Sequence, residues 1–309
     1  MLVSPSVDEM REVQEELYLP HLALVEKDFF VVQVLRILNQ FTQPESRPML
    51  VFGGGTALCR AHRLIERMSE DIDLKMISEP ALTGVERTGF RENVIARLLE
   101  AGFEFSTDTN VRVMDSGRTF VINLPYASKA PEVGSLRAEI KIEVSSWPRY
   151  GESVKLPIQS FMQQAIGGNP EIESFPCAPV FETAAEKFVA LTRRIGEERA
   201  AGPIRDATIL RHAHDFHRVH GNHEIEKTIE VIKIIIESDR NTRGNRFPAY
   251  REDPYREIFN SLDVLRNEDE YKNAYNIFQR DMVYGELASF EDCMNTLSEY
   301  RKILERVRA

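Results

Sequence analysis

Residues 51–76 constrain this chain more tightly than any other stretch. An apolar run at Val51-Phe52 ends in Gly53-Gly54-Gly55 and Thr56, and residues 57–66 follow with helical spacing. A short strand comes next, in which Asp71 and Asp73 stand two residues apart. Side chains alternate faces along a strand, so both carboxylates share one face while Ile72 and Leu74 point into a core. Two carboxylates on one face repel each other unless a cation lies between them. Hard divalent ions bound by carboxylate oxygens, with other positions left to phosphates and water, fit that need, and Mg2+ is the usual one. A glycine turn entering a helix offers backbone N–H groups and a helix dipole to a phosphate. Alone, a glycine triplet is often a tight strand-to-helix connection, and an Asp-x-Asp is often a solvated strand face. In this order, one short helix apart, they read together as a metal–triphosphate site.

The rest of the composition narrows the setting. At 309 residues the chain forms one large domain or two smaller ones. A formal charge of −10 argues against a protein that coats nucleic acid non-specifically, but leaves room for a local basic groove. Cys59, Cys177 and Cys293 have neither disulfide-like nor metal-like spacing, which suits a reducing compartment. No apolar run is long enough for a membrane span, and the first residues lack the blocks of a signal peptide. The expectation is a cytoplasmic monomer.

Periodicity places the remaining elements. Helices are expected over residues 7–18 and 24–38, the second with Leu24, Phe29, Val32, Leu35 and Leu38 as its apolar stripe, and a third over 85–100. Strand-like segments follow at 102–107, 111–114 and 119–124. Residues 136–144 then alternate, with Ile140, Ile142 and Val144 on one face and Glu139, Lys141 and Glu143 on the other. Glu143 is the candidate third metal ligand; the other reading of this segment is an edge strand with its charges in water. Beyond residue 158 the pattern turns helical. The expected fold class is therefore α+β, with strands and helices over 1–160 and a helical domain over 161–309. In the second domain residues 182–195 form a helix with Ala184, Phe188 and Leu191 inward, and Lys187 lies beside that stripe on the same face as Arg194. Gly202-Pro203 breaks the chain, and Asp206 is the expected N-cap of a helix running to Val219. That helix carries His212, His214 and His217, with His220 and His223 just after it. No cysteine lies near and no structural zinc spacing fits, so hydrogen-bonded or solvated histidines are expected there. Residues 231–236 read as a buried helix, residues 241–254 as a loop, and Tyr250, Tyr255, Tyr271, Tyr275, Phe278 and Tyr284 as core or interface.

With these residues in view, the sequence resembles the AbiEii/AbiGii family, the nucleotidyltransferase-fold toxins of type IV toxin–antitoxin systems. Glu26-Lys27-Asp28-Phe29-Phe30 resembles the family's opening helix. Gly54-Gly55-Thr56-Ala57-Leu58 and Arg67-Met68-Ser69-Glu70-Asp71-Ile72-Asp73-Leu74 are similar to its glycine and double-aspartate motifs. Lys141-Ile142-Glu143 is similar to its third-carboxylate strand, Ala185-Glu186-Lys187 to its lysine helix, and Arg211 through Asp215 to Arg218 to its last motif. The likeness runs to about residue 220, with His214 and His217 standing where aromatics are expected, and no motif is matched after residue 225. The resemblance implies a bilobed protein, a nucleotidyltransferase core built as a mixed sheet with flanking helices and followed by a helical C-terminal lobe, with the site between them. It also implies Mg2+, two ions, held by Asp71, Asp73 and Glu143, and an NTP whose phosphates meet Gly54, Gly55 and Thr56 with help from Ser69. Lys187 would offset charge on the departing pyrophosphate, and Asp215 would orient Lys187 or the nucleotide. The implied acceptor is the 3′ end of tRNA, so that translation stops, with Arg60, Arg63, Arg67, Arg193 and Arg194 as a basic surface and a separate antitoxin protein as partner. Two other functions use the same residues differently: nucleotidylation of a protein hydroxyl, and a nucleotide-binding module without transfer.

Overall fold

The computed structural model describes residues 4–43, 45–133, 136–146, 148–201, 207–243 and 247–308. The chain divides into two compact units, Met1–Arg63 with Met68–Ala178, and Leu64–Arg67 with Pro179–Ala309. The passage to the second unit comes after Ala178 rather than near residue 160.

The first unit is built on seven strands: β1 (Met49–Gly53), β2 (Asp71–Ile77), β3 (Val111–Met114), β4 (Thr119–Pro125), β5 (Glu139–Ser145), β6 (Val154–Ile158) and β7 (Ile172–Cys177). They lie in the order β3-β4-β5-β2-β1-β7-β6. The central pair, β2 and β5, is parallel, β1 runs antiparallel to β2, and β7 lies parallel to β1, so the sheet is mixed. Its helices are α1 (Val7–Glu16), α2 (Leu22–Leu38), α3 (Gly54–Arg60), α4 (Gly84–Glu100), α5 (Thr107–Asn110) and α6 (Phe161–Ala165). Capping boxes start two of them: Ser6 with Glu9 opens α1, and Thr83 with Glu86 opens α4. Ile72, Leu74 and Met76 of β2, Ile140, Ile142 and Val144 of β5, and Phe120, Ile122 and Leu124 of β4 are buried in one core with Val31, Val34, Leu35 and Leu38 of α2 and Val94 and Leu98 of α4. Each such side chain contributes about 1.5–3 kcal/mol when fully buried, so a one-residue slip of β2 or β5 would forfeit several of them at once.

Three sequence expectations fail in this unit. Residues 102–107 are not a strand: Gly102 turns the chain at φ 95°, and the segment leads into α5. The helix expected over 57–66 is α3, which begins in the glycines and stops at Arg60, since His62 bonds back to the Ala57 carbonyl and Arg63 takes φ 56°. The helical pattern expected beyond residue 158 does not hold at the strand β7, where six residues containing a proline carry little strand signal and pairing with β6 and β1 supplies what the local pattern lacks.

The second unit holds α7 (Val180–Ala201), α8 (Arg211–Val219), α9 (Ile225–Arg243), α10 (Pro248–Glu252), α11 (Pro254–Asn267), α12 (Asp269–Met282) and α13 (Phe290–Arg308). Ala184, Phe188, Leu191 and Ile195 of α7 are fully buried, as their spacing requires. The Phe216 ring of α8 lies 5.5 Å from Phe188 and 4.6 Å from Tyr300 of α13, which fixes these three helices around one aromatic cluster. Residues 248–252 are helical where a loop was expected, and Ile234 leaves the expected buried run at 53% exposure. Gly202, Pro203 and the expected N-cap Asp206 lie outside the described residues. Leu64–Arg67 joins this unit as an extended segment: the Glu66 carbonyl accepts from Tyr284 N at 3.0 Å and Gly285 N at 3.1 Å, and Arg67 bridges Val283. No helix among the described residues is long and apolar enough to cross a membrane.

Candidate active site

The face of the sheet opposite the core of the first unit carries the acidic residues. In the parallel β2–β5 register Asp71 stands beside Lys141, Asp73 beside Glu143 and Lys75 beside Ser145. Asp71, Asp73 and Glu143 therefore share one face, as the alternation requires. On the other side of β2, Gly53 is the partner of Asp73, and Gly54 begins α3. Gly54 adopts φ +70°, and a Cβ there would stand 2.0 Å from Asp73 Oδ2. Only glycine accepts both the left-handed backbone and the carboxylate at that distance. Gly53 precedes α3 and has no side chain to cap it, and the first amides of the helix are those of Gly54, Gly55 and Thr56.

Thr56 has a different use for its side chain. It is fully buried, and its hydroxyl donates to the Asp71 carbonyl. Ser69 Oγ lies 2.9 Å from Thr56 Oγ1. The Thr56 hydroxyl proton is already committed to a carbonyl, so the Ser69 hydroxyl serves as donor in that contact. Thr56 and Ser69 thus fasten the start of α3 to the start of β2.

Lys141 occupies the middle of the acidic face. Its ammonium lies 3.2 Å from Glu143 Oε2 and 4.0 Å from Asp71 Oδ2. Burial pushes Lys141 down, but Asp71, Glu143 and Asp73 outweigh it and raise its pKa above the ordinary lysine value. The cluster is thus negative enough to hold a cation, and an ammonium now takes part of that role. Among the described residues no three His, Cys, Asp or Glu side chains are grouped so as to hold a metal ion. The donor set nevertheless fits a hard divalent ion, being all carboxylate oxygen on a single face. Lys75, two residues beyond Asp73 on the same face, is buried and sits 5.5 Å over the Tyr150 ring. Neither lysine was singled out from sequence, although the period-two alternation puts both on the carboxylate side.

In the second unit the residues expected to act on the nucleotide form a buried charge cluster. Asp215, fully buried, receives Arg67 Nε and Nη2 at 2.6 Å each, and Lys187 Nζ lies 2.6 Å from its Oδ2. Burial pushes Asp215 up, yet Arg67 and Lys187 overcome it and hold the carboxyl well below the usual range. For Lys187 burial is the larger influence, and with Arg67 and Arg211 it lowers the ammonium pKa against the pull of Asp215. One carboxylate therefore serves two cations.

This cluster changes the reading of the arginines. Arg67 is spent on Asp215, Arg60 on Asp28 at 2.7 Å beneath the surface, and Arg193 on Asp239. Of the five expected to form a basic surface, these three are buried or nearly so in ion pairs because each has an acidic partner that sequence spacing does not show. Arg63 is exposed and donates to Gln159 at 3.0 Å.

His214, His217 and His223 are hydrogen-bonded, whereas Nδ1 of His212 is buried with no hydrogen-bond partner among the described residues. His214 Nδ1 lies 3.2 Å from the Tyr275 hydroxyl, which donates to the Ala288 carbonyl at 2.9 Å, so Nδ1 carries the proton. His217 meets Thr296 at 2.7 Å and His223 meets Thr228 at 2.8 Å. Burial lowers His214 to about 4, with Asp215 opposing and Arg67, Arg218 and His217 adding to the fall; His212, His217 and His223 are lowered as well. A histidine depressed in the folded state takes up a proton in the unfolded state first, so its contribution to stability is lost as pH falls below about 6.5. For His214 alone the loss is about 2 kcal/mol between pH 7 and pH 5, most of the way through the window from its unfolded value of about 6.5 to its folded value of about 4. Urea melts at the two pH values should show it, and His214→Phe should remove that share of the difference; an unchanged pH dependence would overturn the assignment.

The family model described as nucleotidyl transferase AbiEii toxin, type IV TA system, matches residues 36–296. The match extends well past residue 225, where no motif was legible, and it begins after Glu26-Lys27-Asp28. No curated protein matches the chain. Among solved structures the chain is similar to MenT4, a nucleotidyltransferase toxin from Mycobacterium tuberculosis H37Rv, with 18% identity, a TM-score of 0.51, and coverage of 96% of this chain and 89% of that one. At that identity the likeness speaks for the fold alone. The family match, spanning most of the chain and including the glycine turn, the double aspartate and the Lys187–Asp215 cluster, shows that this protein belongs to the AbiEii nucleotidyltransferase toxins of type IV toxin–antitoxin systems and is an enzyme of that class.

Proposed function

We propose that this enzyme transfers a nucleoside monophosphate from an NTP to the 3′ end of tRNA, and that the transfer blocks aminoacylation and so translation. The observation that carries the reading is the register of β2 against β5, which sets Asp73 beside Glu143 and leaves Asp71 on the same face, next to the uncapped start of α3. Asp71, Asp73 and Glu143 are the residues that would hold Mg2+, as one or two ions. When bound, Mg2+ would align the triphosphate and lower the pKa of the attacking hydroxyl. The amides of Gly54, Gly55 and Thr56 would receive the β- and γ-phosphates, with the small glycines leaving the approach open. Thr56 and Ser69 then serve the phosphates chiefly by holding the start of α3 against β2. The acceptor oxygen bonds to the α-phosphorus, the bond to the β-phosphate breaks, and pyrophosphate leaves. Lys187 supplies a cation for the charge that builds on that leaving group, and Asp215 holds its ammonium in place. The exposed Arg63 is a candidate phosphate-backbone contact from the arginine set. A separate antitoxin protein would restrain the activity in the cytoplasm.

The test incubates purified protein with total tRNA and each α-labelled NTP in turn, with Mg2+ and with a chelator. Label on tRNA that needs Mg2+ is the expected result and names the donor. Label that lands on protein and spares tRNA would replace the acceptor with a protein hydroxyl. No label with any nucleotide, in the presence of Mg2+ and tRNA, would overturn the proposal.

A further inference from the structure

Helix α2 carries three consecutive charged residues, Glu26, Lys27 and Asp28, and all three are buried at 0%, 1% and 2% exposure. Successive residues on a helix point about 100° apart, so the three reach different segments of the first unit. Glu26 receives Ser128 Oγ at 2.5 Å and Lys129 N at 2.8 Å, and so holds the loop after β4. Asp28 receives Phe161 N at 2.6 Å and Arg60 at 2.7 Å. Of the three, Lys27 reaches the segments that lead into the two carboxylate-bearing strands. Its ammonium donates to the Arg137 carbonyl at 2.6 Å, two residues ahead of β5, and pairs with Glu70, the residue before Asp71.

A buried ammonium needs several oxygen partners, and its three donors give it a reason to pull these two chain segments together. The apolar faces of β2 and β5 already forbid a slip by one residue. The backbone ladder pairs Asp71 with Lys141 and Asp73 with Glu143, and the Lys27 contacts add a side-chain tie just ahead of that ladder on both strands.

We propose that Lys27 is a positioning residue for the carboxylate cluster: it ties the entries of β2 and β5 and so sets the distance between Asp71 or Asp73 and Glu143. The proposal rests on the reading of these carboxylates as a divalent-cation site for its metal readout, though not for its structural one.

The test compares Lys27→Met with Glu26→Gln in the full chain. Mn2+ binding, followed by electron paramagnetic resonance well below the melting temperature, should weaken at least tenfold in K27M and stay within twofold of wild type in E26Q. Amide hydrogen exchange should quicken at least tenfold at residues 71–73 and 141–143 in K27M and not in E26Q. Lys27→Arg should restore both in large part, because the guanidinium can still reach Glu70 and the carbonyl. A merely structural role would lower the melting temperature of K27M while leaving Mn2+ affinity and local exchange alone, and that result overturns the proposal. If wild type itself binds no Mn2+, the metal reading fails, and exchange at β2 and β5 decides the role of Lys27 without it. Should K27M not fold, Glu70→Gln removes one arm of the tie and is read the same way.

Discussion

Asp73→Asn is expected to lower nucleotidyl transfer by roughly a thousandfold or more while the fold survives. Charge stabilisation by a bound divalent ion contributes several kcal/mol to such a transition state, and each 1.4 kcal/mol is a factor of ten in rate. Asparagine keeps the shape of aspartate, so it still fills the space against Gly54 that a Cβ at that position would invade. It removes one negative charge from the face where Asp71, Asp73 and Glu143 stand around the Lys141 ammonium. The repulsion that remains without a metal is thereby relieved, and the effect on stability should be under about 1 kcal/mol in either direction for groups this exposed. Transfer assays beside thermal melts check both halves. Wild-type activity in the variant would remove Asp73 from the metal site. Loss of the cooperative melt would show instead that the carboxylate is needed to brace the glycine turn.

How much of this was legible beforehand follows from what kind of signal each feature leaves. The face shared by Asp71, Asp73 and Glu143 needs only the two-residue period of a strand, and β2 and β5 alternate clearly. Gly54 was legible as a glycine in a strand-to-helix turn, though its reason, the carboxylate of Asp73 against its α-carbon, appears only once β1 and β2 are paired. Lys141 shows the limit of pattern reading: its face is evident, yet its seat among three carboxylates depends on β2 being the neighbour of β5. The buried ion pairs were out of reach. Arg67 lies 148 residues from Asp215, and Lys27 lies 110 from the Arg137 carbonyl. Nothing in the local text of α2 tells a solvated Glu-Lys-Asp from a buried one. The strand β7 departs from its local pattern for a related reason, since its pairing partners overrule local propensity, while α3 ends at Arg60 in a turn that its apolar spacing does not show.

The same logic gives the largest expected effect on stability, at Asp215. Asp215→Asn should lower the unfolding free energy by about 3–5 kcal/mol, the usual result of removing one partner from a buried ion pair. Here two cations lose their partner together. Lys187 has a way to reduce the penalty: burial and Arg67 already lower its pKa, so without the carboxylate it can give up its proton. Arg67 has none, because a guanidinium does not deprotonate in proteins, and its charge stays buried at 2% exposure. The loss should therefore shrink somewhat as pH rises and Lys187 neutralises, but not disappear. Replacing the whole cluster separates fold from chemistry. In Arg67→Met with Lys187→Met and Asp215→Leu the three charges go together, and well-packed apolar replacements of such clusters are often neutral or stabilising. That triple variant should melt within a few degrees of wild type and transfer no nucleotide. If it transfers nucleotide normally, the cluster only holds the second unit together, and Lys187 has no part in the reaction. If it unfolds like Asp215→Asn, the bidentate geometry of Arg67 on Asp215 matters to the fold beyond its charge.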